Sequence, residues 1–180
     1  MEARHSALLM GYGVNFEALT TSRELGRGGF GAVCAGRYFC QEVAVKQMHG
    51  QKTVAVKQLH ATEKEFLLHF HLRHVNVAAV LCFNVDLSRG PVTLVMERFE
   101  VSLDDLLHGL PFGALALGLS GTRKGPRQEE RWGDTSGPLP LRVRLGFLLG
   151  AARGLAFLHG RGVMHLDVKP ANLMLDAGYD

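Results

Sequence analysis

Cysteine is scarce in this sequence, with Cys34, Cys40 and Cys82 as its three copies in 180 residues. An odd count without metal-like spacing argues against a secreted disulfide framework and against a zinc-finger ligand set. An excess of one charge is missing too. Twenty Lys and Arg stand against 17 Asp and Glu, a net of +3, and the basic residues are scattered. No basic stripe is left to serve a nucleic acid, so no such partner is expected. Long hydrophobic runs are also absent near the start. Ala7-Leu8-Leu9-Met10 is too short for a signal-peptide core or a membrane span. Glu2 stands where N-myristoylation would need glycine. No membrane partner is expected, and the chain reads as cytoplasmic. The histidines at 49, 60, 69 and 71 lack ligand partners at suitable spacing, which assigns them to core or surface. What remains is ordinary globular composition, 47% hydrophobic and 21% charged, at a length that suits one domain.

Glycine, by contrast, is plentiful, 22 in all, and four of them fall within the six residues 26–31. Leu25-Gly26-Arg27-Gly28-Gly29-Phe30-Gly31-Ala32-Val33 fits G-x-G-x-x-G-x-V, a loop whose bare backbone can lie against nucleotide phosphates. Dinucleotide-binding folds share that pattern, and a flexible hairpin would explain the glycines equally well. The residues that follow decide. A Rossmann unit opens a helix at the third glycine, whereas residues 32–40 are strand formers and Val43-Ala44-Val45 begins another strand.

Residues 42–49, ending Val43-Ala44-Val45-Lys46-Gln47-Met48-His49, are nearly repeated as Thr53-Val54-Ala55-Val56-Lys57-Gln58-Leu59-His60. The offset is too short for a repeat architecture. Lys46 leaves room for a hairpin after Gly31 and for a turn and a helix before Glu65. Lys57 leaves too little, so it reads as a solvated charge on a connector or an extra turn of helix. Residues 62–72 form an amphipathic pattern with Phe66 and Phe70 on one face. Glu65 is the expected ion-pair partner of Lys46. It also fits a capping box opened by Thr62, and Glu63, with Leu67 one turn on, is the competing register.

Two apolar strands, 78–85 and 92–97, flank a turn around Ser88-Arg89-Gly90-Pro91. Ser102 then caps a helix with early acids at Asp104 and Asp105. Residues 109–140 change composition and lose periodicity, which reads as a long solvated insert. From Leu141 to His159 a helical pattern returns, with Leu141, Leu145, Leu148, Ala152 and Leu155 as the expected buried stripe, and Gly160-Arg161-Gly162 ends it.

The densest chemistry lies in His165-Leu166-Asp167-Val168-Lys169-Pro170-Ala171-Asn172. Asp167 can accept the proton of an attacking hydroxyl, Lys169 can neutralise phosphate charge, and the Asn172 amide oxygen can hold magnesium. A Pro-containing turn capped by Asp and Asn is the bland alternative.

This stretch resembles the catalytic loop of eukaryotic protein kinases, H-R-D-x-K-x-x-N, and the other motifs follow in that family's order. The resemblance implies an α+β, protein-kinase-like fold: an antiparallel small lobe with one helix, then the first part of a helical large lobe. The division is 1–18 as N-terminal extension, 19–97 as small lobe, and 98–180 as the start of the large lobe, with the insert at about 109–140. It implies ATP and Mg2+ as cofactors. Leu25, Gly26, Gly28, Gly31, Val33, Ala44 and Lys46 would line the nucleotide. Backbone groups of Glu97 and Phe99 would bond adenine beside a Met96 gatekeeper. Asp167, Lys169, Lys46 and Glu65 would be catalytic, and Asn172 would be the metal ligand.

Residues 163–172 look most like the Mos group of serine/threonine kinases, which implies a protein substrate, a MAP kinase kinase. Leu166 replaces the usual arginine, which implies activity independent of an activation-loop phosphate. The chain stops at Asp180, before the D-F-G aspartate. The expectation is therefore a partial domain, inactive by itself and exposing apolar surface. The alternatives are a catalytically inactive nucleotide- or partner-binding module and an aminoglycoside-kinase-like enzyme, the latter disfavoured by Lys169-Pro170.

Overall fold

Strands form here over clusters of apolar and β-branched residues set between turns. The computed structural model describes residues 12–28, 31–48, 56–99, 101–108 and 141–175, with backbone only at 56–61. The chain divides into two units, Met1–Arg98 and Phe99–Asp180.

The first unit is a five-stranded antiparallel sheet carrying one helix. Its strands are β1 (Leu19–Gly28), β2 (Gly31–Tyr38), β3 (Gln41–Met48), β4 (Val80–Asn84) and β5 (Thr93–Glu97), in the order β1-β2-β3-β5-β4, and its helix is α1 (Val56–His71). Gly26 pairs with Val33, Val33 with Lys46, and Lys46 with Leu94. Two residues along, Ala35, Ala44, Met96 and Val80 make the next row. Paired residues share a face and the pleat alternates. Lys46, Ala44 and Leu94 therefore lie on one face, and Val43, Val45 and Val95 on the other.

Each face buries its own cluster. Phe66, Val80, Phe83, Val85, Val92 and Leu94 fill the first, with Leu67 and Phe70 packed against them. Val43, Val45, Cys82, Val95 and Val14 fill the second. A bulge between Val80 and Cys82 turns Leu81 and Cys82 both to the second cluster before Phe83 returns to the first. Buried Asn84 ties down the β4–β5 turn, its Nδ2 donating to the carbonyls of Asp86, Gly90 and Pro91 at 3.1, 3.2 and 2.9 Å.

α1 begins earlier than its periodicity indicated and takes in Val56 and Lys57 of the second V-A-V-K copy, as the extra-turn alternative required. Residues 53–55 lie outside the described set. Glu63, Phe66, Leu67 and Phe70, spaced i, i+3, i+4, i+7, form the stripe turned to the sheet.

Residues 12–18 are more than a leader. Gly13 forms a parallel bridge to Phe83, Phe16–Ala18 make a 3-10 turn capped by Asn15, and Val14 is 1% exposed. Val14 contributes about as much as any sheet valine, roughly 1.5–3 kcal/mol of burial.

The second unit holds β6 (Val101–Ser102), α2 (Leu103–His108), α3 (Leu141–His159), a 3-10 turn at Pro170–Asn172 and β7 (Met174–Leu175). β6 pairs with β7, and Val101, Leu106 and Leu175 form its core with Leu103 and Phe147 against them. Ser102 caps α2 as expected. Its Oγ accepts from Asp105 N at 3.1 Å, while Asp105 Oδ2 accepts from Ser102 N at 2.9 Å. α3 ends in a Schellman turn: Val163 N donates to Leu158 O, Gly162 N to His159 O, and Gly162 takes φ +71.

The stripe expected to be buried on α3 is not. Leu141, Leu145 and Leu148 are 62%, 54% and 63% exposed, while Val143, Gly154 and Leu158 are the buried positions. The helix presents to its small core a face offset from the one its leucines mark. The 109–140 insert lies outside the described residues. Among those described, no helix is long and apolar enough to cross a membrane.

Candidate active site

The second unit carries the acid, and local geometry aims it. Leu166 has φ +62 and is 86% exposed. It centres a tight turn in which Asp167 N donates to His165 O at 2.9 Å. A leucine held there costs on the order of 1 kcal/mol, which the surrounding bonds must offset. Proline fixes the next corner. Lys169, the residue before it, is extended (φ −157, ψ 160), and Pro170 opens the 3-10 turn that Asn172 N closes on Lys169 O at 2.9 Å.

These two turns bring three functional groups together. Lys169 Nζ stands 2.9 Å from Asp167 Oδ2. Asn172 Nδ2 donates to Asp167 Oδ2 and to Asp167 O, both at 2.8 Å. The hydrogen bond from Lys169 first, then that from Asn172, hold the Asp167 carboxyl below the usual carboxylate range. Asp167 is thus favoured in its charged form, fit to accept a hydrogen bond from a hydroxyl. Asn172 has committed both amide protons inward, so its Oδ1 is the atom left for a cation.

The first unit carries the phosphate-binding candidates. Lys46 lies in β3 on the face covered by α1, opposite Val33 and Leu94. Ala44, 7% exposed, sits two residues before it. Leu25, Gly26 and Gly28 lie on β1, and Gly31 opens β2. The three glycines are held for different reasons. Gly31 has φ +152, and a side chain there would run into the Gln47 carbonyl; at Gly26 and Gly28 a Cβ would meet no protein atom within 4 Å. Gly31 is therefore demanded by the fold, whereas among the described residues nothing demands the other two. Glu97 ends β5, with its Oε2 accepting from Ala79 N at 2.7 Å. Phe99 is half-buried at the start of the second unit.

One expected residue is placed elsewhere. Glu65 is exposed, on the side of α1 away from the sheet, whereas Glu63 is 6% exposed within the stripe of Phe66, Leu67 and Phe70. The register set by the two phenylalanines, extended back one turn, lands on Glu63. That signal was in the sequence as the competing register, beside the kinase resemblance that favoured Glu65. Among the described residues, neither glutamate forms an ion pair with Lys46.

A family model described as protein kinase domain matches residues 19–179. The chain belongs to the protein kinase family. Among curated proteins it is 27% identical, over 91% of its length, to the proto-oncogene serine/threonine-protein kinase mos of Mus musculus and to the serine/threonine-protein kinase-transforming protein mos of a myeloproliferative sarcoma virus. It is 30% identical, over 90% of its length, to the serine/threonine-protein kinase mos of Gallus gallus. The chain spans about 44% of the length of each of these relatives. The resemblance is thus to serine/threonine kinases of the Mos type.

Protein kinases in general take ATP with a divalent metal, which neutralises phosphate charge when bound. The residues here fit both. Bare backbone at Gly26 and Gly28 leaves room for phosphate, and Asn172 Oδ1 suits a hard cation. Among the described residues, no group of three His, Cys, Asp or Glu forms a metal cage.

Proposed function

We propose that this chain is the nucleotide-binding and catalytic-loop portion of an ATP- and Mg2+-dependent serine/threonine protein kinase. The observation that carries this reading is the constellation Asp167, Lys169 and Asn172, held within hydrogen-bonding distance by two local turns. Asp167 orients the substrate hydroxyl and accepts its proton, Lys169 neutralises the phosphate in flight, and Asn172 offers Oδ1 to magnesium. Gly26, Gly28, Gly31, Leu25, Val33 and Ala44 cover the nucleotide, with the backbone of Glu97 and Phe99 for the adenine. Lys46 takes the phosphates. We assign its acidic partner to Glu63 rather than Glu65, because Glu63 is the buried acid on the helix face that covers Lys46. The Mos-type resemblance supports a MAP kinase kinase as substrate, and the protein kinase domain a cytoplasmic location.

The test is transfer of labelled phosphate from MgATP to a protein acceptor, together with equilibrium binding of MgATP, by the chain and by Asp167→Asn. Transfer that Asp167→Asn lowers about a hundredfold or more, with binding kept, supports the kinase reading. Binding without transfer in either protein is what a partial domain inactive by itself would give, and assigns nucleotide binding to this portion. Absence of binding overturns both.

A further inference from the structure

We propose that Tyr12, in the segment before the first strand, is a positioning residue that sets the pose of α1 and hence of Glu63. This rests on the kinase reading above, in which Glu63 serves Lys46.

The segment is anchored at several points on the first unit. Phe83 N donates to Tyr12 O at 3.0 Å, which starts the parallel bridge at Gly13. Val14 enters the core beneath β3 and β5. Asn15 N donates to the hydroxyl of Tyr38 at 3.2 Å, on β2. The Phe16 ring lies so close over Gly90 that a Cβ there would come within 2.9 Å of it. These contacts fix Tyr12 on the sheet. Its ring then reaches across to α1, with centroids 4.4 Å from Phe70 and 5.9 Å from His71. From another side the Arg73 guanidinium lies 4.9 Å over the same Phe70 ring.

Glu63 and Phe70 share one stripe, two turns apart. Between them Phe66 packs on Phe83 with centroids 5.6 Å apart. A helix resting on the adjacent Phe66 and Leu67 can still pivot about that point; a contact one turn on at Phe70 removes that freedom. Because α1 is rigid over two turns, fixing Phe70 fixes where Glu63 points. The ring of Tyr12 supplies that second contact, and among the described residues its hydroxyl makes no hydrogen bond, so the effect belongs to the ring.

The experiment combines hydrogen exchange with MgATP affinity for the chain, Tyr12→Phe, Tyr12→Leu and Tyr12→Ala. Tyr12→Leu keeps apolar bulk should Tyr12→Ala fail to fold. The expected result is a loss of amide protection over 63–71 of about tenfold in Tyr12→Leu, with β3 and β5 unchanged and Tyr12→Phe like the parent. MgATP affinity should fall several-fold in parallel. In a Glu63→Gln background the Tyr12→Leu effect on affinity should shrink below about twofold, because the contact acts through Glu63. Unchanged protection over α1, a loss spread equally over the sheet, or an affinity effect undiminished in Glu63→Gln would each overturn the proposal. Failure of the parent chain to bind MgATP overturns the kinase reading and the role given to Tyr12. The exchange result would still decide whether the segment holds the helix.

Discussion

Gly31→Ala and Gly26→Ala should separate what the fold demands of the glycine-rich segment from what a ligand demands. At Gly31 the backbone has φ +152, and a methyl group would strike the Gln47 carbonyl and lie 2.9 Å from Met48 Cα. Both obstacles are backbone of β3, which cannot rotate aside as a side chain would. Holding a non-glycine residue there costs of order 1–3 kcal/mol in strain alone. The position is the first of β2, paired with Met48, so the strand end can open and cap the penalty. We expect about 2 kcal/mol of lost stability. With a urea slope of about 1 kcal/mol/M for a unit of this size, the midpoint falls by roughly 2 M.

Gly26 is the control. Its Cβ would meet nothing within 4 Å, and alanine restricts the unfolded chain, a gain of about 0.4–1 kcal/mol. Gly26→Ala should therefore melt at or slightly above the parent. If the open space over Gly26 is phosphate space, MgATP affinity should nonetheless fall about tenfold, or 1.4 kcal/mol. The assays are a urea melt followed by circular dichroism and a nucleotide titration on the same samples. A Gly31→Ala midpoint within ~0.5 M of the parent would refute the strain argument. A Gly26→Ala midpoint that falls as far as that of Gly31→Ala would refute the distinction between the two glycines.

Two further expectations follow from the same geometry. Val14→Ala should destabilise the first unit by about 2 kcal/mol in the same melt, as a buried large-to-small change does, whereas a solvated leader would give no change. Lys169→Ala removes the leading cause of the depressed Asp167 carboxyl. Its pKa then rises toward the ordinary value, and the acid limb of the pH profile of kcat/KM moves to higher pH; an unmoved limb would show that Lys169 does not hold the charge of Asp167.

The strands and the turn around Asp167 were legible because they are written in local pattern. Val43, Ala44 and Val45 are strand formers, Ser102 precedes its acids by cap spacing, and Gly162 stops α3 where a left-handed residue is needed. The misses share a cause. Val14 sits in a stretch with no period, and only the chain's return past Phe83 makes it core. Glu65 was read from its spacing along the chain after Lys46, whereas burial of Glu63 depends on which side of α1 meets the sheet. The α3 leucines marked an apolar stripe correctly. Whether a stripe is buried, however, depends on what packs against it.

The two halves of the proposed site differ in the same way, and this bears on how each would be controlled. Asp167 is aimed by groups within five residues of itself: His165, Lys169 and Asn172. Its orientation needs no contact from a distant segment, and Leu166, exposed where the family has arginine, offers no cation to receive one. Glu63 has the opposite character. It is carried on a helix that packs against Phe83 and Tyr12, both remote from it in sequence. A perturbation that leaves the catalytic turn intact can still move that helix. Control of this protein should therefore act on the small-unit helix and the segment that braces it, and not on the turn that holds the acid.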